Sequence, residues 1–201
     1  WETLRAEHYG ERVFRAAFAA LQPADWVVAD LGCGTGDIAL DLARTVHRVH
    51  AVDASEEMLA VARQRLAHVA NVTLHRADLA ALPLGTATVD AAFMGFVLSY
   101  LDEVDRAIAE MARVVRPGGR VVLVDLLAHD RADLRHTMGQ TRLGFGQDEL
   151  TPVLTQVGFE RVAAHLVVPE VPAKGPVLLL ITATRSTSPR RSHAEGAPPS
   201  Y

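Results

Sequence analysis

The chain has 201 residues, 49% of them hydrophobic, which is enough for one α/β domain with a sizeable buried core. Its 20 basic and 24 acidic residues leave a net charge of −4, so no nucleic-acid partner is expected, and no apolar run of about 18 residues exists to cross a membrane. The single cysteine, Cys33, excludes an internal disulfide, and a soluble cytoplasmic protein is expected, with a homodimer left open.

In chain order, helix-like and strand-like segments alternate, the pattern of a mostly parallel sheet covered by helices on both faces. A first helix near 3–21 leads to a strand near 26–31, then a helix near 36–45 and a strand near 48–53. The helix near 55–68 opens with Ser55 as N-cap and Glu56 and Glu57 in its first turn, where the helix dipole favours acids. Strands near 72–76 and 89–94 follow, then a helix near 103–115 closed by Pro117-Gly118-Gly119, and a strand near 118–126. Helices near 131–141 and 147–157 precede strands near 159–167 and 176–183. Only Pro169, Pro172, Gly175 and Pro176 separate those last two strands, which suits an antiparallel hairpin. The domain is expected over 1–184, with a flexible Ser-, Pro- and Arg-rich tail over 185–201. Because the chain opens at Trp1 without an initiator methionine, residues upstream are expected, and whether they include a further module is left open.

The densest signal lies in Val27-Val28-Ala29-Asp30-Leu31-Gly32-Cys33-Gly34-Thr35-Gly36-Asp37, a buried strand that turns through three glycines into a helix with free amide groups. A dinucleotide-binding G-x-G-x-x-G turn would place its third glycine at position 37, which is Asp37. The loop is one residue tighter, and Asp30 at its entrance repels a pyrophosphate but suits an ammonium group. Cys33 is a small filler of the turn.

In an open parallel sheet the ligand lies along the carboxyl ends of the strands. Asp53 ends the second strand, where a carboxylate can accept both hydroxyls of a ribose. Asp78 follows the third strand, where it can meet an exocyclic amine of adenine while the N–H of Leu79 faces a ring nitrogen. After the fourth strand, Gly95 and Phe96 can close over the remainder of the ligand. Asp90, before that strand's carboxyl end, is assigned to structure.

The run from Asp30 to Gly36, with Asp53, Asp78, Asp90 and Arg116-Pro117-Gly118-Gly119 in matching order and approximate spacing, resembles the class I S-adenosylmethionine (SAM)-dependent methyltransferases of the type 11/25 kind over residues 25 to 126. The resemblance implies a three-layer Rossmann-like fold with a mostly parallel seven-stranded sheet ending in an antiparallel hairpin. It also implies SAM as donor, S-adenosylhomocysteine (SAH) as product, and no metal. The cofactor-binding set it implies is Tyr9, Asp30, Gly32, Gly34, Gly36, Asp53, Ala54, Met58, Asp78, Leu79, Met94, Gly95 and Phe96. Tyr9, on the first helix, would cover the cofactor. Tyr100-Leu101-Asp102-Glu103, Leu127-Ala128-His129-Asp130 and Thr141-Arg142-Leu143-Gly144-Phe145 are similar to the methyltransferase half of fusions with an ArsR-type winged-helix repressor, as is Trp1-Glu2-Thr3-Leu4-Arg5.

A sulfonium methyl is already activated, so transfer to an O or N atom of a small-molecule acceptor asks mainly for in-line positioning and exclusion of water. A hydroxyl acceptor makes a general base useful, and because histidine is the residue type suited to proton transfer near neutrality, His129, which follows a strand end, is the candidate. His8, Tyr9, Tyr100, Asp125, Asp130, His136 and Arg142 surround the same edge. Of these, Tyr100 reads as a half-buried packing aromatic, His136 as a solvated helix residue and Asp130 as an N-cap. The first helix and the 127–146 segment are expected to build the acceptor pocket. One cysteine cannot supply the thiolates that a metalloid acceptor needs, and Met94-Gly95-Phe96-Val97 lacks the Asn/Asp-Pro-Pro-aromatic loop of nucleobase-amine methylation. The second reading is a sensor that binds SAM or SAH, attached to an upstream regulator and without turnover.

Overall fold

A computed structural model describes residues 21–133, 139–169 and 175–188. The first strand, β1 (Val27–Leu31), is buried almost throughout, as a central parallel strand must be. A glycine turn leads from it into α1 (Asp37–Leu42), followed by β2 (Arg48–Asp53), α2 (Glu56–Arg65) and β3 (Val72–Arg76). The second half contains β4 (Val89–Gly95), a 3-10 turn at Leu98–Tyr100, α3 (Val104–Val114), β5 (Val115–Leu126), α4 (Leu150–Gln156), β6 (Phe159–Val167) and β7 (Leu178–Arg185).

The sheet order is β3-β2-β1-β4-β5-β7-β6. Strands β1 to β5 pair in parallel, and β7 runs antiparallel to both β5 and β6. This is the seven-stranded sheet with a C-terminal antiparallel pair that the sequence implied. Alternation along the strands separates two cores. Val28, Val49 and Ala51 face Ala39 and Leu42 of α1 and Leu59 and Ala62 of α2, whereas Ala29, Val52 and Met94 face the side covered by Ile108 and Met111 of α3 and Leu154 of α4. The chain leaves β1 toward β2 on one side and returns as β4 on the other, so the carboxyl ends of β1 and β4 form a topological switch point.

Several boundaries differ from those read in the sequence. Helix α1 stops at Leu42, short of position 45, and Gly36 is its N-cap rather than its first residue. The Ser55 cap forms as expected, its hydroxyl accepting from the Met58 N–H at 3.2 Å. β5 starts at Val115, directly after α3: Val115 pairs with Val89, and pairing resumes only at Arg120 with Ala91, so 116–119 bulges out of the ladder. The helix expected over 131–141 does not reach its far end, because Gly139 has φ +70° and 139–141 is not helical. The helix expected over 3–21 lies outside the described residues apart from Leu21, which is in a turn.

Asp90 has the structural role expected of it. One carboxylate oxygen accepts the Val27 N–H at 2.6 Å and the other pairs with Arg116 at 2.5 Å, tying the start of β1 and the bulge of β5 to β4. Arg185, placed at the start of a tail, is built into the fold. Its guanidinium donates to the carbonyls of Ala112, Val157 and Gly158, and Ser186 N–H donates to Gly158 O at 3.0 Å, so the ordered chain continues past position 184. Residues 189–201 lie outside the described residues.

Candidate functional site

A cavity of about 800 Å³ opens at the switch point, at the upper end of the range for small-molecule sites. Its floor is the turn after β1. Gly32 has φ +77°, and a Cβ there would overlap the side chain of Val97, so this position must be glycine for two independent reasons. The N–H groups of Gly32 and Cys33 donate to Val52 O at 2.8 and 2.9 Å, binding the turn to β2.

Asp30 reaches this floor from β1 and is 2% exposed. Burial and the neighbouring Asp53 charge push its carboxyl up to about 7, although the Ala39 N–H in the first turn of α1 favours the ionised form. Its Oδ2 is buried without a hydrogen-bond partner, an orphaned acceptor in a residue that lines the cavity. Burial, reinforced by Asp30 and Asp53, also pushes the Cys33 thiol up to about 12. At neutral pH this residue is a protonated filler, not a nucleophile.

Asp53 ends β2, and its carboxylate spans two turns: Oδ2 accepts from Gly34 N–H at 2.7 Å and Oδ1 from Ser55 N–H at 2.9 Å. These bonds fix its orientation at the wall and leave each oxygen a free lone pair. Asp78 closes a short turn by accepting from Ala80 N–H at 2.8 Å, and it stands on the same wall with the buried Leu79.

Of the residues singled out in the sequence, the cavity brings together Asp30, Gly32, Gly34, Asp53, Ala54, Met58, Asp78, Leu79, Gly95 and Phe96. It does not include Met94 or Gly36. Met94 is 1% exposed and points into the α3 side of the core, because strand alternation puts Phe93 and Gly95, not Met94, on the cavity. Gly36 instead packs under α2, where a Cβ would press on Leu66 and Ala62. Tyr9, His8 and His136 lie outside the described residues.

His129 is also away from the cavity wall. Its Nδ1 accepts from Arg131 N–H at 3.2 Å, which puts the proton of the neutral ring on Nε2, and that atom is buried without a partner. The described wall therefore does not place the expected general base beside a substrate. The 127–146 segment contributes no described residue to the wall. Its place is taken by Phe93, Val97, Tyr100, Leu101, Asp102, Glu103 and Ala107, from the carboxyl end of β4 to the first turns of α3. The period of two along β4 could have identified Phe93. The turn after it carries no comparable pattern.

The described residues contain no group of three or more metal-ligating side chains and no helix long and apolar enough to cross a membrane.

Residues 29–123 match the family model of a methyltransferase domain. The chain is 38% identical over 120 residues to an uncharacterized 37.1 kDa protein in transposon TN4556 of Streptomyces fradiae, covering 56% of this chain and 35% of that protein. It is 29% identical over 168 residues to a ubiquinone/menaquinone biosynthesis C-methyltransferase of Marinomonas sp., covering 68% and 67%. The matches thus span from about a third to about two thirds of these curated relatives. Among solved structures, the [4+2]-cyclase SpnF superposes with a TM-score of 0.72 at 20% identity over 87% of this chain and 80% of that one. That likeness is one of fold, and the neighbour is named for a cyclisation rather than for methyl transfer.

Proposed function

We propose that the chain is a class I SAM-dependent methyltransferase that transfers a methyl group from SAM to an oxygen or nitrogen atom of a small-molecule acceptor, a reading supported by the methyltransferase-domain match over residues 29–123 and the likeness to a C-methyltransferase. The observation that carries the reading is the row of three carboxylates, Asp30, Asp53 and Asp78, on one cavity wall at successive strand ends. Their chemistry fits the donor. Asp30, with its orphaned buried oxygen, would meet the ammonium group, Asp53 the ribose hydroxyls and Asp78 the adenine amine, with Leu79 N–H toward the ring. Gly32 and Gly34 let the backbone run close beneath it, Ala54 and Met58 cover the nucleoside, and Gly95 and Phe96 border its methionine end.

When bound, the cofactor supplies a sulfonium methyl that needs no further activation. Transfer forms a bond from an acceptor lone pair to the methyl carbon while the C–S pair returns to sulfur, leaving SAH, and the acceptor proton passes to solvent. The protein's share is to align the acceptor with the methyl and to exclude water. No base from His129 is invoked, which favours acceptors that are nucleophilic without one. The Marinomonas relative is named for methylation at carbon in quinone biosynthesis, so a hydroquinone belongs in the acceptor panel and the site of methylation must be read from the product. We place the reaction in the cytoplasm, in keeping with a free thiol at the floor of the site.

Asp53→Ala is expected to weaken SAM affinity in calorimetry by about tenfold or more, the range for lost hydrogen bonds to a charged group. Unchanged affinity removes the ribose assignment. A panel of hydroxyl, amine and hydroquinone metabolites is expected to yield at least one methylated product by mass spectrometry. Tight SAM binding with no turnover across the panel would instead leave a SAM or SAH sensor.

A further inference from the structure

The half of the cavity beyond the donor carboxylates is walled by residues between 93 and 107, and two aromatic side chains there are held in exposed positions. Phe96 has φ +56°, a left-handed conformation unfavourable for a bulky side chain, and its N–H donates to Val124 O at 2.7 Å. Its ring is nevertheless 52% exposed. Tyr100, 37% exposed, ends the 3-10 turn.

That turn is pinned from below by a buried carboxylate. Asp125 accepts the Ser99 N–H at 3.2 Å, the Ser99 hydroxyl, and its neighbour Leu126 N–H at 2.8 Å. The carbonyl of Ser99 in turn accepts from Thr141 N–H and from the Thr141 hydroxyl, both at 3.0 Å. Strain at one aromatic and a buried polar anchor under the other both cost stability, and both serve to present a ring to the cavity.

We propose that this half of the cavity binds a planar ring acceptor without negative charge, held by Phe96 and Tyr100, and that the Ser99–Asp125 pair is the positioning device for Tyr100. The proposal rests on the methyl-transfer reading, since the ring must lie beside the donor. Aromatic faces hold a flat ring by offset or edge-to-face contact, with Val97 and Leu101 completing an apolar surface. The charge preference follows from the carboxylates: every charged side chain on the wall among the described residues is acidic, with Asp102 and Glu103 nearest these aromatics in sequence. Glu103 is neutralised by Arg106 at 2.7 Å, but the remaining field disfavours a carboxylate or phosphate on the acceptor.

The test uses the full chain saturated with SAH, titrated calorimetrically with 2-naphthol, 2-naphthoate and decahydro-2-naphthol. Naphthol is expected to bind about tenfold or more tighter than either the charged or the non-planar analogue. Tyr100→Ala and Ser99→Ala are each expected to weaken naphthol by about tenfold while SAH affinity stays within about twofold, and Ser99→Thr, which keeps the hydroxyl, to restore it. Naphthoate binding as tightly as naphthol, or no naphthol binding to a chain that holds SAH, overturns the proposal. Failure to bind SAH at all sinks the methyl-transfer reading itself. Should Ser99→Ala not fold, the Tyr100→Ala comparison decides the aromatic contact alone.

Discussion

Asp30 couples the charge of the site to its ligand. In the free protein burial raises its carboxyl to about 7, so below neutrality it is protonated, whereas a bound ammonium favours the carboxylate. Binding then releases a proton, and SAM affinity is expected to rise as pH increases from about 5 to about 7 and to level off above that. Asp30→Asn should flatten this profile in calorimetry, and an unaltered profile would remove Asp30 from the linkage. At this scale the sequence was legible where a residue's role depends on its strand. Asp53 and Asp78 could be read because strand ends define the ligand edge. Met94 could not be placed from motif order alone, since one step along β4 decides between cavity and core, and His129 could not because a position after a strand end does not say which way the loop carries the ring.

Among the elements, the outer pair β2 and β3 contains its own titrating unit. His50 Nδ1 lies 3.0 Å from His75 Nε2 on neighbouring strands, and burial lowers the proton affinity of both rings, helped at His50 by the His75 charge. The folded state therefore prefers these rings neutral. Their contribution to stability is fully present above the unfolded value near 6.5 and is lost as pH falls below it. Urea midpoints at pH 5.0 and 7.5 should differ more for the natural chain than for a His50→Gln/His75→Gln variant, and equal differences would discount the pair. The element order was readable from periodicity and punctuation. The bulge in β5 was hidden because Arg116-Pro117-Gly118-Gly119 looks like a plain turn, and only the pairing of Val115 with Val89 shows that the strand begins before it.

For the whole molecule, the cavity wall draws on both cores, Cys33 and Ile38 from one and Leu79, Val97, Leu101 and Ala107 from the other, so a ligand that fills it stabilises the whole fold. At a SAH concentration 100 times its dissociation constant, mass action contributes about 2.7 kcal/mol, and for a domain of this size the melting temperature should rise by roughly 5–10 °C. Absence of a shift in differential scanning calorimetry would deny the donor site. The donor side was legible in the sequence because its parts follow one another along the chain. On the opposite side Gly95, Phe96 and Tyr100 were named from the sequence, but the network under them was not, because the contacts joining Ser99, Asp125 and Thr141 span 26 and 42 positions and leave no periodic trace.

The wall of the cavity comes from two stretches of the chain, residues 30 to 80 and residues 93 to 107, and on the proposed reading the second begins with Gly95 and Phe96 beside the donor's methionine end. On that reading, exchange of sequence beyond Phe96, over residues 97 to 107, would change what is methylated while leaving the donor's contacts in place.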